Sequence, residues 1–121
     1  MRTALLAIIL VFTAKSALCG NILIPGFESL SFKAGQKEQK VMFRNPEENS
    51  CNFRITLFLE DGQVIWTSGL IPPGKTLTVI ELDRELERGI YRNAVMKYEC
   101  FSIEDRTQLN GAEIRLNIQM K

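Results

Sequence analysis

Histidine is absent from this 121-residue chain, and cysteine, tyrosine and tryptophan are scarce, at three, two and one copies. Without histidine there is no Ser-His or Cys-His nucleophile pair, and the commonest side-chain metal ligand is missing. The cysteines, Cys19, Cys51 and Cys100, stand far apart and lack the Cys-x-x-Cys spacing of a zinc site. No P-loop, GxGxxG or GxSxG run occurs. Adjacent carboxylates at Glu47-Glu48 and Glu104-Asp105 are the groups left for chemistry such as glycoside hydrolysis. A domain this small rarely offers the deep cleft which that chemistry needs. The sequence therefore reads as non-catalytic, with no cofactor and no metal centre.

Long runs of one charge sign are also lacking. The whole chain carries 15 basic and 14 acidic residues, a net charge of +1. Near-neutral balance without a basic cluster argues against nucleic acid as a partner, because phosphate binding needs grouped Lys and Arg.

One long apolar run is present, Ala4 to Phe12, preceded by Arg2 and followed by the small residues around Ala14, Ser16 and Ala17. Positive start, apolar middle and small-residue end are the order of a secretory signal peptide. Lys15 stops the run well short of the ~20 residues a membrane-spanning helix needs. An uncleaved N-terminal anchor and a core helix are the other readings. Small-x-small spacing allows cleavage before Ala17 or before Gly20. Ser16-Ala17-Leu18-Cys19 also resembles a bacterial lipoprotein box, which would make Cys19 a lipidation site, although Leu18 departs from that family's small residue. Residues 1–20 thus form the export segment and 21–121 one domain of ordinary size. Removing 1–20 takes away Arg2, Lys15 and no acid, leaving 13 basic against 14 acidic residues.

From Asn21 onward, short apolar-polar alternations are punctuated by turn residues, the pattern of an all-β sandwich or barrel. Ile22 to Ile24, Leu30 to Phe32, Gln39 to Arg44, Cys51 to Glu60, Thr76 to Leu82, Ala94 to Phe101 and Ala112 to Lys121 read as strands. Asp61-Gly62 is a favoured two-residue hairpin turn. It predicts Leu59 opposite Val64, Phe58 opposite Ile65 and Leu57 opposite Trp66, with Trp66 inward. Arg84 to Arg88 is expected to form one helical turn, closed by Gly89. Seven or eight strands over this length suit an antiparallel sandwich of immunoglobulin or fibronectin III type. In that fold the third and sixth strands run antiparallel side by side, which brings Cys51 and Cys100 together on inward faces. A disulfide between them is expected outside the cytosol, with two buried thiols as the other reading.

Leu86-x-x-Gly89-x-Tyr91 resembles the tyrosine corner of immunoglobulin-like domains, which implies a hydrogen bond from Tyr91 back to nearby backbone. Phe43-Arg44-Asn45-Pro46, Ser68-Gly69-Leu70-Ile71-Pro72-Pro73-Gly74-Lys75, Tyr98-Glu99-Cys100-Phe101 and Asn110-Gly111-Ala112-Glu113-Ile114 together resemble small exported or membrane-anchored proteins of Gram-positive bacteria. That resemblance implies an immunoglobulin-like sandwich outside the cytosol and names no activity.

Two contact surfaces follow from the strand reading. Glu47, Glu48 and Asn49 share one pole with Glu104 and Asp105, forming an acidic tip for a basic partner or a calcium ion, or simply solvated loop charge. Phe58, Ile65, Val95 and Phe101 fall on the outward face of one sheet, as a docking patch, as scattered surface groups or as a face covered by the N-terminal strand. The functional expectation is a secreted or membrane-attached domain that binds a protein partner at the cell envelope, touching the membrane only through its N-terminal segment. A carbohydrate-binding module and a strand-donating assembly chaperone are the alternatives.

Overall fold

The computed structural model describes residues 7–12 and 21–121. Arg2, Lys15, the cleavage positions before Ala17 and Gly20, and Cys19 lie outside the described residues.

The described chain is all-β. Nine strands follow one another: β1 (Ala7–Phe12), β2 (Asn21–Gly26), β3 (Ser29–Phe32), β4 (Glu38–Arg44), β5 (Cys51–Phe58), β6 (Val64–Thr67), β7 (Thr76–Glu81), β8 (Gly89–Ser102) and β9 (Gln108–Met120). Strands β3-β9-β8-β5-β6 form a five-stranded sheet, and β4-β7 a two-stranded sheet. The two sheets enclose one core, as in a β-sandwich, and β1-β2 form a separate antiparallel pair. Within the large sheet β3 runs parallel to β9, and the other neighbours are antiparallel.

Period-two patterning explains the large sheet. Along β5, Cys51, Phe53, Ile55 and Leu57 are buried, and along β8, Ala94, Met96, Tyr98 and Cys100. Leu116, Ile118 and Met120 do the same for β9, with Leu30 and Phe32 for β3. Phe43 from β4 and Ile80 from β7 close the core from the other layer. Phe43 and Trp66, with ring centroids 5.7 Å apart, tie the two layers together, and within the large sheet Phe53 meets Tyr98 edge-on at 5.3 Å.

Two expectations about local structure are corrected. Residues 84–88 form no helical turn. Leu86 is buried and its carbonyl accepts from Gly35 N at 3.0 Å, while Asp83 N donates to Ile65 O at 2.8 Å. These long-range bonds hold the segment open across the sandwich.

The β5–β6 hairpin differs by one residue. Leu59 N bonds Gln63 O at 2.8 Å, so the turn spans Glu60-Asp61-Gly62. Only Gly62 takes positive φ, at 90°, because the Asp61 carboxylate turns back to accept from Gln63 N at 3.0 Å. A bulge restores the register: Phe58 faces Val64, Leu57 faces Trp66, and Ile65 is the extra residue. Both Ile65 and Trp66 are therefore buried in succession.

Candidate functional site

The loop end of the sandwich is organised by a buried side chain that sequence patterning marks only as part of a turn. Asn45 is fully buried. Its Nδ2 donates to Cys51 O at 2.9 Å and Ile71 O at 2.8 Å, and its Oδ1 accepts from Asn49 Nδ2 at 2.8 Å. Its backbone N donates to Lys75 O, and its own carbonyl accepts from Gly74 N. One residue thus ties loop 45–50 to the start of β5 and to loop 71–75. A buried amide satisfied this completely fixes loop geometry, since leaving any partner unpaired costs about 1–3 kcal/mol.

Cys51 pairs in register with Ser102, so loop 45–50 and loop 103–107 emerge at the same end. Glu47, Glu48, Glu104 and Asp105 are exposed there. Ile103, beside them, is 51% exposed. Asn49 is not part of the surface: it is buried and serves the Asn45 network. Asp105 is partly engaged as well, accepting from Thr107 N at 3.0 Å, and that bond holds its carboxyl below the usual range. Among the described residues no group of three or more His, Cys, Asp or Glu converges as a metal site.

The outward face of the large sheet departs from the expected patch. Ile65 lies in the core, at 0% exposure, because of the bulge. Phe58 pairs with Val95, whereas Phe101 sits opposite Asn52, six residues further along β8 and so ~20 Å away. Phe58, Val95 and Phe101 are all half-buried. Between the two apolar ends runs a charged ladder. Arg54 Nε donates to Glu99 Oε1 at 3.1 Å, Gln108 Nε2 to Glu99 Oε2 at 3.2 Å, and Lys97 pairs in register with Glu113. The Arg54 hydrogen bond chiefly holds the Glu99 carboxyl below its ordinary value. The Arg54 guanidinium also stacks over Phe101, 4.9 Å from the ring centroid. A shallow hollow of about 280 Å³ adjoins this ladder, lined in part by Lys97, Glu99 and Glu113.

Cys51 and Cys100 are both buried on the inward face of the large sheet. Cys51 faces Ser102 and Cys100 faces Phe53, so the two are diagonal neighbours across β5 and β8. At the opposite end of β8, Tyr91 Oη donates to Glu87 O at 2.8 Å.

Comparison of the chain with protein-family models, with curated proteins and with solved structures finds no match to any of them.

Proposed function

We propose that this chain is a non-catalytic, exported domain of immunoglobulin-like type that binds a protein partner at the cell envelope through its loop end. The observation that carries the reading is the combination at that end of exposed Glu47 and Glu48, on a loop anchored by buried Asn45, with exposed Ile103, Glu104 and Asp105 on the neighbouring loop. Rigid loops lose little conformational freedom on binding, which favours affinity from a small contact. An apolar group ringed by charge suits a basic partner surface with an apolar centre.

The immunoglobulin-like assignment draws support from strand order. β3 runs parallel to the last strand, β9. The long antiparallel pair β9-β8 is followed by β5 and the short hairpin strand β6 at the far edge, and this sheet faces the smaller antiparallel β4-β7 sheet. Export draws on the apolar run from Ala4 to Phe12 and its small-residue end. Carbohydrate recognition has less in its favour, since Trp66 is buried against Phe43 and offers no flat platform.

Charge reversal tests the proposal. A Glu48→Lys/Glu104→Lys variant of the full chain should melt like the parent and lose partner capture from its native envelope by at least about tenfold, a change of about 1.4 kcal/mol. Capture undiminished in a normally folded variant would remove the loop end as the contact.

A further inference from the structure

Strand β2 has an unusual attachment. Among the described residues its only strand partner is β1, over six residue pairs from Ala7↔Gly26 to Phe12↔Asn21. Yet Ile22 and Ile24 are 1% and 0% exposed and belong to the main core. The domain thus holds β2 by its side chains, while β1 pairs one edge of its backbone. That completing strand comes from the segment whose sequence marks it for removal on export. Cleavage before either Ala17 or Gly20 takes β1 away and leaves β2 seated with an unpaired edge.

We infer that in the exported form this edge takes up an extended aliphatic segment of a partner protein, laid antiparallel to Asn21–Gly26 in the place of β1. The inference rests on the export reading above but concerns a different surface from the loop end. A sheet edge of free N–H and C=O groups is a template for an added strand. The chemistry of the guest is read from β1, whose sequence AIILVF has no charge, proline or glycine at either alternation. β1 also approaches β9, so the seat has more than one wall. A segment apolar at every position is not displayed on a folded soluble protein. It belongs to an extended terminus or to a chain still unfolded after export. A second copy fits less well: antiparallel pairing of β2 with itself about Leu23 would set Pro25, which lacks an N–H, opposite Asn21.

The test keeps the full chain. A protease recognition sequence placed within residues 13–20 lets the protein fold with β1 attached and be nicked afterwards. A fluorescent Ala7–Phe12 peptide with a solubilising lysine tail is then titrated by anisotropy. The nicked chain should bind it saturably at one to one. The uncut chain should bind about a hundredfold more weakly, because its tethered β1 competes at high effective concentration. N-methylation of alternate peptide nitrogens should abolish uptake, since it removes ladder donors and leaves every side chain. Equal uptake by cut and uncut chains, undiminished uptake of the methylated peptide, no uptake at all, or a nicked dimer that peptide does not dissociate would each overturn the inference. Intact mass of the protein from producing cells checks export separately. A chain still starting at Met1 there would overturn the inference for the cell even where the nicked chain binds, so the two failures are told apart.

Discussion

Asn45 is the side chain on which the loop end depends most. Asn45→Ala strips donors from two buried carbonyls and removes the oxygen that accepts from Asn49 Nδ2. The expected loss is about 3 kcal/mol in urea unfolding, large for a turn residue. Gly111 is a second sensitive position, because a Cβ there would collide with the Tyr98 carbonyl where β9 bulges against β8. Gly111→Ala should therefore cost about 1–3 kcal/mol by the same measurement. Glu99 supplies a pH signature. Its carboxyl is held low in the folded state by Arg54. The stabilisation is thus present above the ordinary carboxylate pKa and is lost as pH falls through the lowered one. The pair is partly exposed, with Arg54 at 41%, and is worth at most about 1 kcal/mol. Glu99→Gln should lower stability slightly at neutral pH and converge with the parent in acid. A variant whose deficit persists unchanged at low pH would break the assignment.

At the scale of elements, legibility followed burial. Strands β5, β8 and β9 bury one face against the core, so alternate residues from Cys51 to Leu57, Ala94 to Cys100 and Leu116 to Met120 announced their side from sequence. The hairpin after β5 was legible only to within one residue. Asp61-Gly62 matches a two-residue turn, but the Asp61 carboxylate stabilises a three-residue one and the bulge at Ile65 absorbs the difference. That shift moved Ile65 from the expected outward patch into the core and, with the distance to Phe101, dissolved the patch. Ile65→Ser should accordingly cost about 3 kcal/mol, whereas Phe58→Ser, at a half-buried site, should cost about 1 kcal/mol. Equal costs would mean the two side chains share a face after all. The diagonal offset of Cys51 and Cys100 has the same origin: parity fixes the face, while register depends on where β8 ends, at Ser102. The Asn45 network was invisible because its partners lie 6 and 26 residues away, and no local pattern encodes them.

The molecule as a whole joins a loop end tied by the Asn45 hydrogen bonds to an N-terminal β1-β2 pair whose second strand buries Ile22 and Ile24 in the core. The common end of loops 45–50 and 103–107 was legible, since antiparallel order alone places them together. That Asn49 is internal, and that Ile103 stands exposed in its neighbourhood, emerged only with packing. The most direct test of the protein-binding account is crosslinking of the tagged full chain in its native cells, followed by mass spectrometry of the captured peptides. The account predicts one defined set of envelope proteins, with crosslinks concentrated in residues 45–50 and 103–107. Recovery of the chain alone, or crosslinks confined to other faces, would contradict it.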